Sequence, residues 1–303
     1  MKTFRIYQVD AFTRELFKGN PAGVVANADG LTDSQMQAIA RELNNAETAF
    51  VLSPGAADHD VWIRFFTPTI EVPVCGHATV SAHYVRALEK KLPSCTVIQK
   101  TGAGILPVDI TRDGEEMTIT MTQGEIEISE PLPDTIIDRI LSALGLSRDL
   151  LAPRCPIEIA STGHSKVMIG IIRKDTLDHL APDMNELSTI SRDIGCNGFF
   201  VFTLDSPDPN ILTCGRMFAP AIGIHEDPVT GNANGPLGAY LVHHGLLTPS
   251  NRPGDTITFQ ALQGEAMGRP GIIRVMVDTK DKRPVKVRIQ GEALVAFQTE
   301  ITL

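Results

Sequence analysis

The chain has no run of lysine and arginine, no apolar stretch near 20 residues and no paired-cysteine motif, and each absence removes a class of protein. Thirty-six acidic residues against 27 basic ones leave a formal charge of −9. With no basic row to neutralise a line of phosphates, nucleic acid is excluded as a partner. A membrane-spanning helix needs roughly 20 consecutive apolar residues, and none is present. Asp10 and Arg14 interrupt what could otherwise follow Lys2 and Arg5 as a signal-peptide core. The five cysteines, at 75, 95, 155, 196 and 214, are odd in number and form no C-x-x-C pair. They read as reduced thiols, so a cytoplasmic protein is expected. Gly231, Gly235 and Gly238 are followed by no Gly-Lys-Ser/Thr, no G-x-G-x-x-G follows a strand, and the eight histidines form no H-E-x-x-H. Adjacent His243 and His244 point to different sides of a helix. Neither a nucleotide cofactor nor a metal is expected.

What is present is a sequence that says nearly the same thing twice. Arg64-Phe65-Phe66-Thr67-Pro68 returns as Arg216-Met217-Phe218-Ala219-Pro220, and Glu71-Val72-Pro73-Val74-Cys75-Gly76-His77-Ala78 returns as Glu226-Asp227-Pro228-Val229-Thr230-Gly231-Asn232-Ala233. The repeat extends upstream. Met36, Ile39, Ala40 and Leu43 form one helical stripe, and Leu187, Ile190, Ser191 and Ile194 keep its spacing. Thr32 and Gln35 suit a capping box before the first stripe. A short apolar strand follows each helix, at Glu47 to Val51 and at Asn197 to Val201. A unit this long exceeds the roughly 20 to 50 residues of a solenoid repeat, so it reads as two domains on one plan, with a site where the copies face each other. A length of 303 residues agrees, because domains cluster near about 100 to 150 residues.

The remaining pattern is strand-rich. Leu106 to Met121 breaks at Asp113-Gly114, a hairpin turn, while Ile272 to Val277 and Val285 to Ile289 read as paired strands and Ala293 to Leu303 as a closing one. Without regular strand-helix alternation the fold class is α+β. Segment 125–134, with Pro131 and Pro133, is the expected crossing. The domains are then 1–128, possibly joined by the strand at 292–303, and 129–291.

Helix-forming sequence follows both Cys75-Gly76 and Thr230-Gly231. Gly76 and His77, and in the second copy Gly231 and Asn232, therefore stand at helix N-termini, where unbonded N–H groups and the positive dipole end favour a carboxylate or phosphate. The alternative is a pair of tight turns that need glycine for backbone reasons alone.

Val9-Asp10-Ala11-Phe12-Thr13, Gly19-Asn20-Pro21-Ala22-Gly23-Val24, Glu47-Thr48-Ala49-Phe50, Arg64-Phe65-Phe66-Thr67-Pro68, Cys75-Gly76-His77-Ala78-Thr79 and Glu226 to Ala233 together resemble the PhzF family of phenazine-biosynthesis-like isomerases. The resemblance covers nearly the whole chain. It implies a diaminopimelate epimerase-like fold in which two pseudo-symmetric domains each wrap a sheet around a central helix, with the active site between them and a homodimer as the assembly. It also implies a cofactor-independent isomerase in which Glu47 moves a proton between carbons of a small cyclic carboxylate. His77 and Asp227 match the family's other polar site residues, and Asn20, Gly76, Gly231, Asn232 and Ala233 its substrate contacts. The family's phenazine enzyme has serine where this chain has Asn232, which puts the phenazine precursor in doubt as substrate.

Glu47 is chemically suited to its role, since a carboxylate between a helix end and an apolar strand is partly desolvated, which raises its pKa toward a useful range. Its repeat mate is Asn197, and the mate of Cys75 is Thr230. Epimerases of this fold use one thiol from each half, and the second is missing here. One-sided proton return, an isomerisation, is therefore expected. A two-base racemase using Cys75, or a metabolite-binding protein without turnover, are the alternatives, and Cys75 itself could be a buried bystander.

Overall fold

The computed structural model describes residues 1–248 and 255–303. In chain order the elements are β1 (Thr3–Ala11), β2 (Asn20–Val25), α1 (Asp33–Leu43), β3 (Thr48–Leu52), β4 (Val61–Phe66), β5 (Glu71–Val72), α2 (Gly76–Lys90), β6 (Cys95–Thr101), β7 (Gly104–Asp113) and β8 (Glu116–Thr122). There follow β9 (Glu127–Ile128), α3 (Asp134–Leu144), β10 (Glu158–Ser161), β11 (Lys166–Ile171), α4 (Lys174–Asp178), α5 (Met184–Ile194), β12 (Phe199–Thr203), β13 (Thr213–Ala219) and β14 (Ile224–Asp227). The chain ends with α6 (Gly231–His243), β15 (Thr256–Gln263), β16 (Gly271–Lys280), β17 (Arg283–Gly291) and β18 (Ala293–Thr302). The class is α+β, and among the described residues no helix is long and apolar enough to cross a membrane.

Two compact units result, one of Met1–Thr122 with Gln290–Leu303 and one of Gln123–Ile289. The chain enters the second unit at Gln123, ahead of the proline-bearing segment 125–134. Gln123 N–H donates to Val287 O and Gly124 N–H to Thr162 O, both at 2.9 Å, and these acceptors belong to the second unit.

In the first unit β18 and β1 are antiparallel, β1 and β2 antiparallel, β2 and β3 parallel, and β3 and β4 antiparallel. β4 then pairs antiparallel with β5 and parallel with β6, which leads into the antiparallel β6, β7 and β8. The second unit repeats this order of parallel and antiparallel neighbours from β9 through β10, β11, β12, β13, β14 and β15 to β16. The turn from β16 to β17 places Asp281 and Lys282 at φ 52° and 63°, the two left-handed positions that a tight hairpin demands. The repeat seen in the sequence is thus a repeat of topology.

Each unit has two kinds of helix. In the first, α1 is amphipathic and lays Met36, Ile39 and Ala40 on Phe4, Ile6, Val25 and Phe50. Its start is the capping box read from the sequence, with Thr32 and Gln35 exchanging hydrogen bonds. In the second, α3 and α5 cover Val167, Ile169 and Val201 with Ile140, Leu144, Leu187 and Ile190. By contrast α2, packed on β1, β2, β3, β8 and β18, and α6, packed on β10, β11 and β16, are buried on nearly every side. In α6 only Asn232 and His243, at its two ends, are not buried.

The repeated Arg-x-Phe motif has one structural task in both copies. Arg64 grips Glu71 with Nε and Nη2, both at 2.7 Å, and Arg216 grips Glu226 with the same atoms at 2.8 Å. Each guanidinium also lies 5.1 Å from the ring two residues on, Phe66 or Phe218. This bidentate pair fixes the short strand that delivers the chain to the central helix. The copies differ in their third bonds. Arg64 Nη1 donates to exposed Asp33, whereas Arg216 Nη1 donates to the buried-end carbonyls of Leu177 and Leu180 at 3.1 and 2.9 Å. Arg216→Met should therefore cost about 3 kcal/mol, because it strands a buried carboxylate and two carbonyls, and Arg64→Met about 1 kcal/mol. Equilibrium urea unfolding of the two variants checks the order.

His83, on α2, is fully buried and holds Gln99 Oε1 through Nε2 at 3.0 Å. Burial pushes its imidazolium down to about 4 from the ordinary 6.5. The unfolded chain therefore takes up this proton first. The stability this site contributes is complete above pH 6.5, falls as pH drops toward 4, and amounts to about 3 kcal/mol. Unfolding free energies measured across pH 4 to 7 should show that loss in the native chain and a flatter profile in His83→Gln.

Candidate active site

In the first unit, the C-terminus of α1 closes on Asn44 in the left-handed conformation, φ 53°. Three residues later the chain enters β3, so Glu47 sits one residue outside the strand in which the sequence had placed it. Its carbonyl accepts from Gly23 N–H at 3.3 Å. Glycine is required there, since a Cβ on residue 23 would lie 2.7 Å from Thr48 Oγ1 and 2.8 Å from Leu43 Cδ1. The Glu47 side chain is only 14% exposed.

Facing it is the N-terminus of α2. Cys75 is the N-cap in extended conformation, Gly76 and His77 are the first two helical residues, and the Oγ atoms of Thr79 and Ser81 donate back to the carbonyls of Cys75 and His77. His77 Nε2 lies 3.4 Å from Glu47 Oε2, and its Nδ1 lies 3.4 Å from Cys75 Sγ. Carboxylate, imidazole and thiol thus stand in series. Contiguous-motif reading missed this trio because its members come from a strand entrance and a helix start 28 positions apart. One carboxylate oxygen, one sulfur and one ring nitrogen lie within 4.8 Å of one another, a donor set zinc accepts. Here, however, the thiol addresses Nδ1 and the carboxylate Nε2. Cys75 Sγ is 3.4 Å from Nδ1 and 4.0 Å from Nε2, so its shorter approach is to the ring nitrogen that does not face Glu47.

In the second unit the matching helix start carries a different set. Thr230, the N-cap of α6, donates its hydroxyl to the Asp227 carboxylate. Gln263 fixes this turn from β15, accepting from Thr230 N–H at 3.1 Å and Asn234 Nδ2 at 2.9 Å, and donating to Asp227 O at 2.7 Å. Gln123 donates to Gly231 O at 3.0 Å and accepts from Thr162 Oγ1 at 2.6 Å. Gly235 makes room for it, because a Cβ there would fall 1.6 Å from Gln123 Oε1. Pro236 has no N–H, so the Asn232 carbonyl lacks its helical donor. Among the described residues no protein acceptor takes the N–H groups of Gly76 and His77, nor those of Gly231 and Asn232. Both helix starts keep the open donors expected of them.

The structure therefore gathers Glu47, Cys75, Gly76 and His77 in one unit, and Asp227, Thr230, Gly231 and Asn232 in the other. Asn20 opens β2 and is 1% exposed. Ala233 is fully buried and its N–H is taken by Thr230 O at 3.2 Å. Lys166, like Gln123 and Gln263, escaped sequence reading altogether. Lys166, the first residue of β11, is 3% exposed, and its Nζ donates to Ser165 O at 3.0 Å. Burial lowers its ammonium to about 8, an effect the charges of Cys196 and Asp227 oppose. Asp227 thus acts on this buried amine through space. The only signal in the sequence is a lysine opening an otherwise apolar strand.

Three comparisons bear on this arrangement. A family model described as "Phenazine biosynthesis-like protein" matches residues 9–299. An uncharacterized isomerase of Clostridium acetobutylicum is 54% identical over 303 residues, covering 100% of this chain and 99% of the relative. The trans-2,3-dihydro-3-hydroxyanthranilate isomerase of Pseudomonas fluorescens is 32% identical over 300 residues, covering 97% and 98%. Among solved structures, a PhzF-family phenazine biosynthesis protein from Bacillus anthracis superposes with a TM-score of 0.88 at 30% identity over the full length of both chains.

Proposed function

The chain belongs to the phenazine biosynthesis-like family of isomerases, and from that membership we propose that it shifts a proton between carbons of a small cyclic carboxylate, with Glu47 as acid and base. The observation that carries the reading is the Glu47 carboxylate itself. It is nearly buried and stands 3.4 Å from an imidazole at the open end of a buried helix. Desolvation keeps such a carboxylate reactive, and His77 orients it and shares its proton. Abstraction beside a carboxylate spreads negative charge into that group, so the substrate needs fixed positive partners. The open N–H groups of Gly76 and His77 are of the right kind, and the second unit has groups of the same kind at Gly231, Asn232 and Lys166. Asp227, which accepts the Thr230 hydroxyl, is a carboxylate of the kind that binds a hydroxyl or amine. The relative from P. fluorescens acts, by its name, on a dihydro-hydroxyanthranilate, which carries those groups. Asn232 stands where the phenazine enzyme has serine, so a different ring substituent is proposed for this chain.

A two-base racemase is disfavoured by a specific observation. The position matching Cys75 in the second unit is Thr230, whose hydroxyl is committed to Asp227.

Incubated in deuterated water with cyclic β,γ-unsaturated or dienoic hydroxy acids, the native protein should incorporate deuterium from solvent, and Glu47→Gln should do so about 1000-fold more slowly. Exchange at the native rate in Glu47→Gln would remove that residue from its role. Lys166 is a cation below about pH 8 and loses its charge above it. kcat/KM should accordingly decline as pH rises through about 8, and Lys166→Met should lower it below that pH, abolish that limb and approach the native value above it.

A further inference from the structure

Four buried side-chain atoms without a hydrogen-bond partner belong to one small group in the first unit. They are His83 Nδ1, Arg86 Nε, Arg86 Nη1 and Gln99 Nε2. His83 and Arg86 are three residues apart on α2 and so share a face, and Gln99 reaches His83 from β6, bonded to it at 3.0 Å. All three are at least nine-tenths buried, with His83 and Gln99 fully so and Arg86 9% exposed.

The fold does not demand this polarity. Aligning Gly76 with Gly231 places His83 on Gly238 and Arg86 on Leu241 of α6, both apolar and both buried. Burying an arginine without a partner costs several kcal/mol, and its guanidinium cannot shed the proton to escape the penalty. The acid that acts on Arg86 through space, Asp60, is itself exposed, and its carboxylate accepts Ile98 N–H at 2.7 Å. Arg86 Nε and Nη1 have no hydrogen-bond partner among the described residues. Water could fill the vacant donors but would leave the buried charge unbalanced.

We infer that Arg86 and Gln99 bind one small monovalent anion, of halide size, inside the first unit. Arg86 donates through Nε and Nη1 and Gln99 through Nε2. His83 donates Nε2–H to Gln99 Oε1 and thereby fixes the amide with its NH2 free for the ion. His83 Nδ1, an acceptor in the neutral ring, takes a hydrogen bond from a water beside the ion. The ion ties α2 to β6 and braces the helix whose first residues are Gly76 and His77. It stands apart from the proposed proton transfer, because none of its ligands is among the residues given a part in that reaction.

The test is anion-specific stabilisation. When chloride replaces gluconate at constant sodium, the Tm of the native chain should rise by about 4 °C, and that of Arg86→Met should not move. Crystals of the native chain grown in bromide should show an anomalous peak within hydrogen-bond distance of Arg86 Nε or Nη1, a readout that needs no variant to fold. No chloride-dependent rise, an equal rise in Arg86→Met, or water alone in density at Arg86 would each overturn the site.

Discussion

A helix walled in on every side can meet a ligand only through its ends. That constraint governs both units. The middle of α6 is built largely from small or apolar side chains that the surrounding strands close upon, and the open backbone donors of both helices are confined to the first turn. There the backbone leaves N–H groups that no intrahelical carbonyl can reach, and both copies keep theirs open at Gly76, His77, Gly231 and Asn232. The strand before each helix is clamped by a bidentate arginine, Arg64 on Glu71 or Arg216 on Glu226, which holds the entering chain so that the helix starts where it does.

On this doubled frame the reactive groups are single. Glu47 is tucked against His77, while its counterpart Asn197 is exposed. Cys75 lies beside an imidazole, while Thr230 is bound to a carboxylate. Lys166 and Asp227 are buried in the second unit, and Asp10 and Arg86, the latter far along its helix, in the first. Divergence of the copies concentrates where side chains reach helix ends or face the interior, and spares the clamps and the strand order.

How much of this could be read from the chain depended on whether a residue's task is periodic, local or long-range. The stripes of α1 and α5, the Thr32 and Gln35 cap and the turn at Asp113-Gly114 are periodic or local, and all stand where the sequence puts them. The central helices carry no such stripe, since a helix buried all round has no polar face to reveal its period. The first can be read from a run without Gly or Pro after Cys75-Gly76, and the second by its match in the repeat. In the site, Glu47 and His77 could be named from motifs, but their meeting could not, because it depends on how α1 is capped and how closely Gly23 lets β2 approach. Lys166, Gln123 and Gln263 are single polar residues amid strand or linker sequence, and nothing in their neighbours distinguishes a site group from a solvated edge.

The last strand adds a demand of another kind. β18 pairs with β1, joining Thr302 to Thr3 across almost the whole length of the chain, while the second unit is one continuous stretch, Gln123–Ile289. A chain emerging from the ribosome can complete its second unit while its first still lacks a strand. The half that carries Glu47 therefore matures last, although it is synthesised first, and its β1 edge waits unpaired through the rest of translation. Order of synthesis and order of completion run in opposite directions.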